Sequence, residues 1–250
     1  MRAQNVRLVP VNEVDALDPD VWEYHNLEAL FLVLPNNPTG WNLSARQLQA
    51  LACDAASRQL LLVIDFSFRY FDLNAPDAYQ ILADAGCNFI AIEDTGKYLS
   101  FADMKIGIIA SDDSIAGEIA GIVEDILLNV SPFAVELVAQ LMTRDDRAGT
   151  HNLMRLNRTQ LSIATERLNV DVHSPLETMS VAWISAKRGY QMDELVGQWR
   201  ERGVVVLPGG PFFWDDYSRG ANYARIALAR PSMIFDEALT VMIGNGEGFK

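Results

Sequence analysis

Three short apolar runs, each stopping on a polar or turn-forming residue, constrain this chain more than any other feature. Residues 29–34, 60–64 and 88–92 are rich in Leu, Val, Ile and Phe, and amphipathic helical patterns lie between them. Short runs that are apolar throughout fit strands buried on both faces, and helices between them make the sheet mostly parallel. Residues 104–110 add a further apolar run, broken by Lys105 and Gly107, and residues 5–9 read as another strand. Between the first two runs, a helix is expected over residues 44–56. Ser44 and Gln47 stand three apart at its start, the spacing of a capping box.

The texture changes after Ser111. Ile115, Ile119, Ile122, Val123, Ile126 and Leu127 recur at helical spacing. Ser131 and Pro132 then restart a helix, with Pro in a permitted first-turn position. Residues 145–150 are polar and mark a break or bend, after which residues 151–168 form another helix. The remainder reads as a small α/β unit. Strands are expected at 170–172, 179–185, 204–207 and 224–228, and helices at 193–202, closed by Gly203, and at 232–243. The expected division is therefore 1–145 and 146–250, with an α/β fold in both parts. At 250 residues the chain is long enough to bury a substantial core.

Composition removes several functions. A net charge of -13 without any Lys/Arg run argues against nucleic acid and anionic membrane surfaces as partners. No apolar run is long enough to span a bilayer, and residues 1–10 lack the apolar stretch of a signal peptide. His25, His151 and His173 are scattered, so no metal-ligand spacing exists. Cys53 and Cys87 are expected to be buried free thiols, which suits a reducing cytoplasm.

The chemistry concentrates after the apolar runs. The first leads into Pro35-Asn36-Asn37-Pro38-Thr39-Gly40, the second into Asp65-Phe66-Ser67-Phe68, and the third into Glu93-Asp94-Thr95-Gly96-Lys97. Ligands of open α/β sheets bind beyond the carboxyl ends of the strands. An Asn, an Asp and a Lys gathered there make a polar site on a rigid scaffold.

This set, in this order, resembles the fold-type I pyridoxal-phosphate (PLP) enzymes, in particular the class I/II aminotransferases. The resemblance implies that Asn37 bonds the ring hydroxyl oxygen of PLP, that Asp65 pairs with its pyridine nitrogen, and that Lys97 forms the Schiff base. A carboxylate that keeps the ring nitrogen protonated deepens the electron sink. Lys97, freed by substrate, would serve as the proton shuttle. Lys105 lies where the family usually has an Arg on the cofactor phosphate. Arg225, in Tyr223-Ala224-Arg225-Ile226-Ala227, resembles the arginine that clamps the substrate α-carboxylate. The implied fold is the PLP-dependent transferase large domain, incomplete at its N-terminus, followed by a small C-terminal α/β domain. The implied activity moves an amino group between an amino acid and a 2-oxo acid through a lysine imine.

The sequence also departs from that family. Phe68 replaces a usual Tyr whose hydroxyl donates to the cofactor, and a raised imine pKa is expected from its loss. Asp94 and Gly96 stand where many members carry hydroxyls for the phosphate, and Glu93 and Asp94 would repel that anion. The stretch that precedes residue 5 in the family supplies an anion-binding helix N-terminus, a stacking aromatic ring and much of the dimer surface. Self-association, or a partner supplying that part, is therefore expected. Two other functions remain open: a degenerate PLP-fold subunit acting as a partner protein, and a PLP-dependent lyase or cyclase of an amino acid.

Overall fold

A computed structural model of the chain describes residues 6–72, 74–99, 106–143, 147–173 and 179–244. Two four-stranded sheets, each with its own helices, account for the strands among these residues.

The first sheet is built by helices and strands in alternation. Helix α1 (Pro19–His25) leads into β1 (Ala29–Val33), α2 (Ala45–Arg58), β2 (Leu61–Asp65), α3 (Ala78–Ala85), β3 (Phe89–Asp94), the short α4 (Thr95–Leu99) and β4 (Gly107–Ser111). Strands β1, β2 and β3 are parallel neighbours, and β4 closes the order antiparallel to β3. The register places Val33 beside Asp65 and Asp65 beside Ile92. All three parallel strands therefore deliver their following loops to one edge.

Alternation of side chains decides what each strand presents. Leu30 and Leu32, Leu62 and Ile64, and Phe89 and Ala91 point to one face. There they are buried with Leu48, Leu51, Ala52 and Ala55 of α2 and Leu82 of α3. The opposite face is less covered: Phe31 is 60 % exposed, and Asp65 and Asp94 lie on it half-buried. Cover on both faces was the expectation, so the strands are more one-sided than their composition suggests. The expected capping box is present, with the Ser44 side chain accepting from the Gln47 N–H and the Gln47 side chain accepting from the Ser44 N–H.

Helices α5 (Ala116–Leu127), α6 (Pro132–Met142) and α7 (Arg147–Leu168) lead to the second sheet. Its strands are β5 (Val170–Val172), β6 (Val181–Ala186), β7 (Leu207–Pro208) and β8 (Tyr223–Ala227), in the order β5-β6-β8-β7, and every pairing is antiparallel. Helix α8 (Met192–Glu201) and helix α9 (Ser232–Ile243) complete the unit. All six residues of β6 are buried, as befits a strand packed between layers. The fully buried Asn157 of α7 donates to the carbonyls of Leu228 and Arg230 at 2.7 and 2.8 Å, tying the longest helix to the end of β8.

Some sequence expectations are corrected. Residues 6–9 form no strand, and Val6 and Leu8 are 64 % and 69 % exposed; residue 5 lies outside the described residues. Apolar alternation there has no sheet edge to pair with. The strand expected at 204–207 shrinks to Leu207–Pro208, the two residues that pair with Arg225 and Ala224 of β8, because 204–206 have no ladder partner. Cys53 is exposed on α2 rather than buried, whereas Cys87 is buried. No described helix is long and apolar enough to cross a membrane.

Burial pushes the Cys87 thiol up to about 11 from an ordinary 9.0. The unfolded chain therefore ionises this thiol first, and the contribution of Cys87 to stability falls as pH rises from about 9 to about 11. In the folded protein at a mildly alkaline pH, a maleimide should label Cys53 quickly and Cys87 only after denaturant is added. Equal labelling of both in the native protein, read by peptide mass, would contradict this burial.

Candidate active site

The signature turn after β1 is closed on itself. The Asn36 N–H donates to the Trp41 carbonyl at 2.6 Å, and the Gly40 N–H to the Asn36 carbonyl at 2.8 Å. The peptide bonds Leu34–Pro35 and Asn37–Pro38 are both cis. Asn37, half-buried, projects from this turn toward the second sheet, where Arg225 Nη1 donates to its Oδ1 at 2.8 Å. A guanidinium can only donate, so the amide oxygen must be the side that faces it. The Asn37 NH2 group is thereby aimed elsewhere, and it has no partner among the described residues.

Arg225 sits in the centre of β8, across from Trp183 in β6. Its guanidinium lies 5.2 Å from the centre of the Phe212 ring. Trp183 meets Phe212 edge-on and stacks parallel on Tyr223 at 5.1 Å. Burial lowers the Arg225 pKa from its ordinary value. A partly desolvated guanidinium backed by aromatic rings is a strong site for a carboxylate. The loop that carries Phe212 is held by a close backbone approach: a Cβ on Gly220 would stand 2.3 Å from the Gly209 carbonyl oxygen. No side chain fits there.

Asp65 ends β2. Its Oδ1 accepts from the Ser67 N–H at 2.8 Å, which orients the carboxylate and leaves the second oxygen without a bond among the described residues. Lys97 lies in α4, half-exposed, with Nζ 3.9 Å from Asp94 Oδ2. The other Asp94 oxygen accepts from the Gly96 N–H at 2.9 Å, so this carboxylate caps the short helix as well as facing the lysine. Thr95 Oγ1 bonds both the carbonyl and the N–H of Ile106 and fixes the start of α4 against β4.

Asn37, Asp65 and Lys97 thus lie at or just beyond the ends of three adjacent parallel strands on one sheet edge, and Arg225 joins them from the second sheet. Lys105 lies outside the described residues. The donor set fits PLP: an amide N–H for the ring oxygen, a carboxylate for the ring nitrogen and a primary amine for the aldehyde.

Two departures look different in three dimensions. Glu93 does not face the site. It is 3 % exposed on the covered face of β3, where Arg69 Nη2 lies 2.9 Å from Oε1 and the Tyr79 hydroxyl donates to the same oxygen. Burial raises the Tyr79 pKa, and Glu93 raises it further. Burial pulls Arg69 down, but its bond to Tyr70 and the Glu93 charge outweigh this and leave it raised. The Tyr70 hydroxyl accepts from Arg69 Nη2 at 3.3 Å, on this same cluster. Phe68 is buried with Phe71 in the core of the second unit.

Sequence reasoning missed a further contact. Glu13 Oε1 accepts from both Asn36 Nδ2 and Thr39 Oγ1. No local pattern connects residue 13 to a turn 23 positions away, and only the fold reveals the contact. Trp214, an aromatic residue suited by type to a pocket or the core, is 67 % exposed.

The protein is a member of a transaminase-type family: residues 2–239 match the family described as aminotransferase class I and II, and the chain belongs to it. Among curated relatives, it is 26 % identical over 218 residues to the histidinol-phosphate aminotransferase of Symbiobacterium thermophilum. That match covers 87 % of this chain and 57 % of the relative. It is also 32 % identical over 90 residues to the LL-diaminopimelate aminotransferase of Chlamydia pneumoniae, which covers 35 % of this chain and 23 % of that one. The chain therefore spans little more than half the length of the first of these. Among solved structures, MppP soaked with the product 2-ketoarginine superposes with a TM-score of 0.85 at 31 % identity, covering 97 % of this chain and 70 % of that one. The α-aminoadipate aminotransferase LysN of Thermus thermophilus, complexed with N-(5'-phosphopyridoxyl)-L-leucine, shares the fold. Its TM-score is 0.76 at 21 % identity, over 92 % of this chain and 61 % of that one.

Replacing Glu93 by Leu strands the Arg69 charge in a largely apolar setting and is expected to cost about 3 kcal/mol of folding free energy. Urea unfolding of Glu93→Leu, beside the double variant with Arg69→Met, checks this. The double variant should recover most of the loss, and a single variant as stable as the parent would contradict the buried ion pair.

Proposed function

We propose that this chain carries the cofactor-binding core and small domain of a PLP-dependent enzyme that moves an amino group between an amino acid and a 2-oxo acid. The proposed division between the two parts is at 145/146: the buried cluster around β2 lies wholly before it, and the cluster around β6 lies after it apart from Phe68 and Phe71. The observation that carries the functional reading is the Arg225–Asn37 bond, which joins a carboxylate-binding group to a cofactor-binding group across the two sheets.

When bound, PLP supplies an electron sink for the bonds at the substrate Cα. The chain's own groups do the rest. Asp65 holds a proton at the ring nitrogen, and its anchor on the Ser67 N–H keeps it in place. Asn37 donates its free amide N–H to the ring oxygen, in the orientation that Arg225 dictates. Arg225 binds the substrate α-carboxylate and so fixes which face of Cα meets Lys97. Lys97 is the primary amine that would hold the cofactor aldehyde and, once freed, would carry a proton to and from the substrate Cα, for which its 3.9 Å pairing with Asp94 has to open. Lys105 is the proposed phosphate cation.

We extend the proposal to the substrate. The likeness to MppP, a protein soaked with the product 2-ketoarginine, favours arginine or another guanidino amino acid. The aromatic loop supports this choice, because guanidinium groups already rest on it: Arg225 on Phe212 and Arg219 on Phe213, at 5.2 and 5.0 Å. Planar guanidinium stacks well on such rings, and Trp214 offers an exposed one.

The chain is further proposed to self-associate or to join a polypeptide partner. Helix α5 has no buried residue, and Ile122, Ile126, Leu127, Leu128 and Phe133 are 56–87 % exposed. Apolar patches of this extent mark interaction surfaces. Sedimentation velocity of the purified chain should show a species larger than the monomer, and a sharp monomer at all concentrations would refute self-association.

Borohydride reduction after incubation with PLP tests the site directly. The parent should retain a pyridoxyl mass on the peptide containing Lys97, and Lys97→Ala should retain none. PLP-loaded protein that has not been reduced should release the cofactor as its amine form when given arginine, more readily than with a dicarboxylic amino acid. Absence of the Lys97 adduct in the parent would refute cofactor binding by this chain.

A further inference from the structure

Residues 12 and 13 touch both loops that frame the site, yet neither belongs to any group with a chemical task. Glu13 Oε1 accepts from Asn36 Nδ2 and Thr39 Oγ1, the two residues that flank Asn37-Pro38. Asn12 Oδ1 accepts from Arg219 Nη2, 207 residues away. Arg219 also donates to Asp215 at 3.2 Å and covers the Phe213 ring, so it is the brace of the 209–221 loop that holds Phe212 under Arg225.

The segment that presents these two side chains is firmly based. The Ala16 N–H donates to the Asn12 carbonyl at 2.8 Å, and Asn12 Nδ2 donates to Asp15 at 3.1 Å. Ala16 is 2 % exposed, and its carbonyl accepts from the indole N–H of Trp22, itself 3 % exposed. A rigid turn thus reaches in two directions at once. Besides Glu13, the cofactor-side turn depends on its own bonds, including Trp41 N–H to Thr39 Oγ1 at 3.2 Å, and on the Arg225–Asn37 bond. Closed turns of this kind are stiff inside but free to swing as a unit, and an external carboxylate that accepts two bonds removes that freedom.

We propose that Glu13 and Asn12 are positioning residues that clasp the cofactor-side turn 36–41 and the substrate-side loop 209–221 to one base. The clasp rests on the site reading above. Glu13 sets where the 36–41 turn that carries Asn37 stands, and Asn12 sets where the aromatic loop, with Phe212 against the Arg225 guanidinium, stands. Adjacent residues with separate targets should have separable effects: Glu13 acts on cofactor affinity and Asn12 on amino acid affinity.

Hydrogen exchange of the full chain, with and without PLP, tests this together with borohydride capture of PLP at Lys97. Glu13→Ala should speed exchange of the amides of residues 36, 40 and 41 about tenfold, and should raise the PLP concentration for half-maximal capture about tenfold. Glu13→Gln keeps an oxygen that accepts both bonds and should return both readouts close to the parent. Asn12→Ala should speed exchange across 209–221 and raise the amino acid concentration needed to convert bound PLP, with PLP capture unchanged. Should Glu13→Ala fail to fold, Asn36→Ala removes one of the same bonds from the other side while leaving the backbone bonds of the turn in place, and is read identically. Parent-like exchange at 36–41 in these variants, or equal damage to both loops from either position, would overturn the clasp. If the parent captures no PLP, the functional reading has failed. Exchange in the PLP-free chain then decides the clasp alone: local acceleration supports it, and none refutes it.

Discussion

Parallel pairing of β1, β2 and β3 is the constraint from which the site follows. Val33, Asp65 and Ile92 are level with one another, so each strand gives up its backbone ladder at the same edge. A polar residue placed just beyond a strand end is then brought beside two others without any long-range search. The covered face of the strands supplies the stability, through Leu62, Ile64 and Leu82, all fully buried. Side-chain alternation separates the two tasks within single strands: Glu93 points into the covered face while Asp94, its neighbour, points to the site side.

That separation changes how the acidic stretch before Lys97 is understood. Two consecutive carboxylates look hostile to a phosphate when read in line. In the fold, one is balanced by Arg69 and tyrosine hydroxyls on the covered face, and the other is spent on a helix cap and a loose contact with the lysine. Only one of the two charges therefore faces the strand-end site. Phe68 is explained in a similar way: its ring serves the core of the second unit, where a hydroxyl would need a partner.

Much of this was legible in the sequence, and what was not has physical reasons. The elements with strong local signals came through: the Ser44 cap, the apolar runs of β1–β3 and the helix Ser232–Ile243. Asn37, Asp65, Lys97 and Arg225 stand out because turn chemistry and motif order mark them. The failures share one cause, which is that pairing and burial depend on what lies opposite. Residues 6–9 and 204–206 have strand-like composition but no ladder partner, and Cys53 sits on the outward side of α2. The Arg69–Glu93 pair and the Glu13 contact join residues far apart in sequence, where no periodicity or spacing could reveal them.

The contact between Gly209 and Gly220 bears on how this fold could be redesigned. Both ends of the aromatic loop are pinned by backbone meeting backbone, so neither end can accept a side chain. The loop can then be diversified only in its span, at Phe212, Phe213 and Trp214, which project from a frame that stays put. A library confined to those three positions would explore new ligand shapes while leaving the foundations of the loop intact. One that included the glycines would mostly sample broken frames.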